Sequence, residues 1–251
     1  MRRLFKSLFW FALIAIVTPV AIGTGLGYAR GWPENWRSAS WDSSGLLPEA
    51  SSLPDAEVMI LATRTGRWKS IFAEHMSIVL KEQGASEWIR YDVVGWGNPV
   101  RRNNYPADAY WYGNKPYVVY KLEGAEAAAL IPRIEASVAA YPYAQRGSYT
   151  VWPGPNSNTF VAWVVRNTDG FDAELPPAAV GKDWLGNGLG FDQAPSGSGF
   201  SVSVAGLIGV TLALEEGIEL HLSGSTIGID PNDLAVKLPA LGKLSVFDLM
   251  S

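Results

Sequence analysis

The longest apolar run of the chain, Leu8 to Ala29, holds 22 residues without a charge. As a helix rising about 1.5 Å per residue it reaches the roughly 30 Å of a bilayer's hydrocarbon core. Shorter patterns follow. Val58-Met59-Ile60-Leu61 is the continuous apolar run of a central strand. Over Glu74–Lys81, Met76, Ile78 and Leu80 alternate with His75, Ser77, Val79 and Lys81, which predicts a strand whose first set faces a core. Trp88–Val94, between Gly84 and Gly95-Trp96-Gly97, predicts a third strand, and Pro116–Leu122 a fourth. Gly124–Ala140 has helical composition, with Leu130, Ile131, Ile134 and Val138 on one face and Pro132 as a kink or restart. A second helix is expected over 158–166, where Phe160, Val161, Trp163, Val164 and Val165 follow the non-helical turn Pro153-Gly154-Pro155. Beyond it, eight glycines fall between Gly181 and Gly209, and the period-two sets Phe200, Val202, Val204 and Ile218, Leu220, Leu222 predict strands. The expected fold is α+β: a mostly antiparallel sheet with helices packed on one side, an N-terminal transmembrane helix and a β-rich C-terminal extension.

Charge sharpens this plan. Arg2, Arg3 and Lys6 precede the apolar run, which predicts a cytoplasmic tail over 1–7, an anchor over 8–29 and an exported remainder. The competing reading is a cleaved signal peptide, for which Gly27-Tyr28-Ala29 is a passable small-x-small site; the run is longer than a usual signal core, which favours the uncleaved anchor. Either reading exports residues 30–251. Residues 30–55, rich in Ser, Pro and Gly and containing Trp32, Trp36 and Trp41, read as a linker whose indoles lie at the headgroups or pack on the body, and 56–251 as the folded domain. The first 30 residues hold four of the 20 basic groups and no acidic one, leaving 16 against 24 and a net charge of −8. An acidic body argues against nucleic acid as a partner. There is no cysteine, which excludes a disulfide framework and lipoprotein attachment.

The candidate chemistry gathers at Asn156-Ser157-Asn158-Thr159, where a helix N-terminus leaves backbone N–H groups unpaired and favours negative charge. Although Asn-Ser-Asn-Thr is what an N-cap region looks like anyway, and capping without catalysis is the reading preferred, Ser157 there is a candidate nucleophile. As an alcohol it needs a general base during attack, and His75 is the candidate, hydrogen-bonded within about 3 Å. Asp92 is the candidate to orient that imidazole, with Arg90 on the same strand face to hold it. The side chains of Asn156 and Asn158 are candidate oxyanion donors. Tyr110-Trp111-Tyr112-Gly113, with Trp96 and Trp152, are candidate walls of a substrate groove. His221 alternates with Glu219 and Ser223 opposite Ile218, Leu220 and Leu222 and is expected at the solvent face. Two histidines without His-Glu-x-x-His spacing give no reason to propose a metal, Asp230-Pro231-Asn232-Asp233 reads as a turn, Gly186–Gly190 has the wrong spacing for a nucleotide loop, and no cofactor is expected.

His75, the Trp88–Val94 strand and the Asn156–Phe160 segment, in that order, resemble the circularly permuted papain-like proteins, the lecithin retinol acyltransferase-like group, with Ser157 where their catalytic cysteine stands. That resemblance implies a cleft over roughly residues 70–166. Over nearly its whole length the chain also resembles an uncharacterised bacterial family, domain of unknown function 3750, through the Trp-Pro-Gly-Pro-Asn-Ser-Asn-Thr-Phe block at 152–160, Gly-Lys-Asp-Trp at 181–184 and Glu-Gly-Ile-Glu-Leu at 216–220. Three functions compete: a non-catalytic envelope protein that keeps the cleft to bind a peptide or lipid, a serine hydrolase or acyltransferase acting on an envelope amide or ester, and a structural membrane-tethered interaction domain. The first is preferred, because a geometry built around sulfur seldom serves oxygen. An exposed apolar patch away from His75 would favour the third.

Overall fold

The structure, a computed structural model, describes residues 6, 7, 9–11, 13–33 and 35–247. Most of the expected cytoplasmic tail, including Arg2 and Arg3, and the first anchor residue, Leu8, lie outside the described residues. Phe9–Arg30 is long and apolar enough to cross a membrane, with a mean hydropathy of 2.0. Its second half is helix α1 (Thr18–Arg30), which follows a wider turn at Leu13–Val17. Ala15, Pro19, Gly23 and Gly27, four residues apart, form its buried stripe. Glycine is required there by close approach: a Cβ on Gly23 would meet the Cβ of Ala240 at 2.6 Å.

The first sheet has five antiparallel strands, β1 (Glu57–Arg64), β2 (Glu74–Lys81), β3 (Ile89–Val93), β4 (Val100–Arg102) and β5 (Tyr117–Glu123), in the order β4-β3-β2-β1-β5. Alternation divides it. Val58, Ile60, Ala62, Met76, Ile78, Leu80, Tyr91 and Val93 face two helices, α2 (Gly124–Ala140) and α3 (Ser157–Arg166), and make the main core with Leu130, Ile134, Phe160 and Val164. Met59, Leu61 and Val79 face the other way, onto Leu46, Leu47, Trp88 and Ala107.

Residues 30–55 are therefore not a free linker: the second half of that segment covers the outer face of the sheet. Asp108 fixes it, accepting hydrogen bonds from Ser43 Oγ at 2.7 Å and from the N–H groups of Leu46 and Leu47 at 2.7 and 3.2 Å. Tyr110 N–H donates to Asp42 O at 2.9 Å.

The expected C-terminal extension is a full second sheet of seven antiparallel strands in chain order, β6 (Leu189–Gln193), β7 (Gly199–Val204), β8 (Ile208–Ala213), β9 (Gly217–Leu222), β10 (Ser225–Asp230), β11 (Ala235–Leu238) and β12 (Gly242–Ser245). Its polarity is the reverse of the expectation. Ser201, Ser203, Thr211, Glu219, His221, Thr226 and Lys237 are buried, while Phe200, Val204, Ile208, Val210, Leu212, Ile218 and Ile229 are exposed. His221, expected at the solvent face, is buried between Thr211 Oγ1 at 2.9 Å and Thr226 Oγ1 at 3.1 Å. The physical reason is what the inner face meets. Lys182, itself buried, donates to Leu175 O and Glu219 Oε1, and Lys237 donates to Glu216 O and Glu219 Oε1. Burial alone would raise the Glu219 carboxyl, but Lys182 and Lys237 outweigh it and hold it at about 2.

Candidate functional site

The cap of α3 is Asn156, not Ser157. Its Oδ1 accepts from the N–H groups of Asn158 at 2.9 Å and Thr159 at 3.1 Å. Its Nδ2 donates to Val151 O and Val180 O. Gly181 closes over this amide: φ is +93°, and a Cβ there would lie 2.5 Å from Asn156 Nδ2. Asn158 docks the helix start on β2, taking Met76 N–H on Oδ1 at 3.1 Å and giving Nδ2 to Glu74 O at 2.8 Å and Val180 O at 2.9 Å. That amide grips the strand on both sides of His75. Both side-chain amides thus have their two N–H groups committed to carbonyls, so neither is an oxyanion donor as expected. Ser157, buried in the first turn, has no hydrogen bond from its Oγ among the described residues.

His75 and Asp92 come together on the outer face of the first sheet, Nε2 to Oδ2 at 3.8 Å, an electrostatic approach longer than a hydrogen bond. Arg90 Nε holds the same Oδ2 at 2.9 Å and reaches Ala107 O through Nη1 at 3.2 Å. The His75 ring stacks on Trp111, centroids 3.8 Å apart and planes within 1°. Burial lowers the His75 pKa, against the pull of Asp92; burial would raise Asp92, but His75 and Arg90 together bring it down. Among the described residues the His75 Nε2 is buried and has no hydrogen-bond partner. The expected His75–Ser157 hydrogen bond is not formed. Strand alternation turns His75 away from the helix-bearing face, and its Nε2 is directed at Asp92.

Trp111 is likewise not a groove wall: it is buried, the slab over His75. Trp152 is about half exposed, and its Nε1 donates to Ser223 O at 3.1 Å, tying the turn before α3 to the second sheet. The open cleft lies above Trp111. Trp36, Trp41, Trp96, Tyr105 and Tyr112 line about 400 Å³, and Trp41 and Tyr105 touch Trp111 edge-on at 5.1 and 5.4 Å. Of these five, sequence reasoning assigned Trp96 and Tyr112 to a groove, left Trp36 and Trp41 open between lipid and body, and missed Tyr105. The signal for the first four was aromatic density itself.

Among the described residues one acidic cluster has the spacing of a metal site, Glu174, Asp230 and Asp233. Lys243 Nζ fills it, at 2.8, 2.6 and 2.5 Å from the three carboxylates.

A family profile described as "Protein of unknown function (DUF3750)" matches residues 55–184, just over half of the chain. No curated protein and no solved structure matches. The matched span takes in the first sheet, both helices of the core and the Gly181–Trp184 block that packs on Asn156.

Proposed function

The chain belongs to the DUF3750 family, and we propose that it is a single-pass inner-membrane protein of the bacterial envelope whose exported domain binds a ligand without turning it over. The cleft walled by Trp36, Trp41, Trp96, Tyr105 and Tyr112 carries this reading. Five rings and, among the described residues, no charged side chain in the lining suit a ligand with an extended apolar face, an envelope lipid chain or an apolar peptide. The papain-like reading has in its favour the docking of the helix start beside His75 through Asn158. Titrating the purified protein with envelope lipid and peptide fractions tests the binding role: a ligand that raises the melting temperature is recovered chemically unchanged, and Trp41→Ala or Trp96→Ala removes the shift. Chemical conversion of that ligand by the wild type, abolished in Ser157→Ala, would overturn it.

That outcome belongs to the second reading, a serine hydrolase or acyltransferase acting on an envelope amide or ester. In its favour are the unbonded Ser157 hydroxyl, free of any capping duty, and the unpaired His75 Nε2 beside Asp92. Against it stand the position of His75 on the sheet face turned away from the helix that carries Ser157, its burial beneath Trp111 and the commitment of both asparagine amides.

A further inference from the structure

The outward face of the second sheet is built like an interior. In β6 it carries Leu189 and Phe191, in β7 Phe200, Val202 and Val204, and in β8 Ile208, Val210 and Leu212. Ile218, Leu220 and Leu222 continue it in β9, Ile227 and Ile229 in β10, Val236 and Leu238 in β11, and Leu244 in β12. The cross-strand register puts these residues side by side, with Gln193 and Ser225 as the polar members and no charged side chain among the strand positions of that face. Seven strands about 4.8 Å apart and four to six residues long make a face of roughly 500 Å² in plan, at the upper end of the apolar patches that soluble monomers leave open.

Two observations say what covers it. First, the turn between β11 and β12 touches α1: Ala240 lies against Gly23, and Ala240 O accepts from Arg64 Nη2 at 3.1 Å. Gly23 is seven residues before Arg30, so at about 1.5 Å per residue that turn sits roughly 10 Å below the end of the apolar helix. If Phe9–Arg30 spans the bilayer with Arg30 at the hydrocarbon boundary, the edge of the second sheet reaches about 10 Å beneath that boundary, among the acyl chains. Second, a cavity of about 570 Å³ beside the helix end carries Arg30, Arg64 and Lys115 against Glu74, with Lys243 and Glu174 already paired, a basic excess that suits lipid phosphates in a body that is otherwise acidic.

We propose that this face is lipid-contacting, lying against the leaflet that α1 leaves, so that the domain is held on the membrane by a sheet as well as by a helix. The inference rests on the membrane-spanning reading of Phe9–Arg30. Having no charge, the face binds by apolar insertion, and raising the salt concentration leaves its contact unchanged.

The absence of cysteine makes a direct test available. The full chain, reconstituted in phosphatidylcholine–phosphatidylglycerol vesicles, receives one spin label at a time through Val210→Cys, Ile218→Cys, Ile22→Cys in α1, or Glu87→Cys in the exposed turn after β2. These positions point outward, so the substitutions remove no core contact. The expected result is that labels at 210, 218 and 22 collide more with lipid-dissolved oxygen than with a water-soluble nickel chelate, and the label at 87 does the reverse. Labels at 210 and 218 that favour the nickel chelate while 22 favours oxygen would overturn the lipid contact and leave the anchor standing. Protection from both reagents, with short label-to-label distances between copies, would replace the bilayer by a second copy. A water-exposed label at 22 would remove the anchor, and the inference with it.

Discussion

In β2, Met76, Ile78 and Leu80 turn inward onto Phe160 and the rest of α3; in β9, it is Glu219 and His221 that turn inward, and Ile218 faces out at 51% exposure. Both strands alternate with the same period, so alternation alone says that two faces differ and not which of them is inside. The partner decides. The first sheet meets helices whose stripes are apolar, Leu130 and Ile134 from one and Val161 and Val164 from the other. The second meets the segment carrying Lys182, whose ammonium pairs with Glu219, while the hydroxyls and the imidazole of its inner face bond one another.

The comparison breaks or holds at adjacent residues of one strand. Glu219→Ala leaves buried Lys182 without its counter-ion and Lys237 with Glu174 alone, and an unpaired buried charge costs about 3–5 kcal/mol. Ile218→Ser, one residue away on the outer face, is expected to change stability in detergent by less than about 0.5 kcal/mol, as an exposed position does. Urea unfolding of the two variants measures both. Equal losses would mean that the outer face is packed in the purified protein and that the two sheets are not opposites.

Asn156→Ala comes next. It removes the cap of α3 and leaves the carbonyl of Val151 without a donor and that of Val180 with Asn158 alone, a loss of about 1–2 kcal/mol by the same measurement. A stability unchanged by that substitution would mean that α3 is held by its apolar face alone.

Most of the first sheet was legible in the sequence, because Glu74–Lys81 and Gly124–Ala140 each have one apolar face and a core to receive it. β2 and α2 fall on the expected residues, and α3 begins one residue earlier. β4 was not foreseen: Val100-Arg101-Arg102 has too few positions to show a period. Of the site, the pairing of His75 with Asp92 and the grip of Arg90 were legible, since all three lie at odd or even positions of neighbouring strands. The stacking of Trp111 and the spending of the Asn156 and Asn158 amides were not, because they depend on loops from residues 103–114 and 176–181 whose paths no periodicity encodes. The segment carrying Trp36 and Trp41 read as a linker from its Ser, Pro and Gly content, and composition could not reveal that Asp108, more than 60 residues on, gathers its N–H groups.

Acid sharpens the contrast less strongly. The two histidines are both buried, one on each sheet, and burial lowers both pKa values below the ordinary 6.5. Below 6.5 the unfolded chain therefore takes up protons that the native state refuses, and stability falls as pH falls through that value. Thermal melts across this range are expected to show the decline, with His75→Gln and His221→Gln each removing a part. His221 gives up two threonine hydroxyl bonds and costs stability at neutral pH as well, whereas His75, with Nε2 unpaired, flattens the pH dependence at a smaller cost. Stability constant through 6.5 would mean that both rings titrate as they do in water.

The smallest expected effect is at Ser157. Its hydroxyl bonds nothing among the described residues, and the capping work beside it is done by Asn156, so Ser157→Ala should shift the unfolding free energy by no more than about 0.5 kcal/mol. A loss above about 1 kcal/mol would show that the hydroxyl is a structural group and would remove the observation that favours catalysis. A neutral substitution leaves the hydroxyl without a structural reason, at a helix start that Asn158 fastens to the strand of a buried histidine whose Nε2 is unpaired. In that case the turnover measured with Ser157→Ala against the wild type reports on chemistry alone, because no loss of fold can account for it.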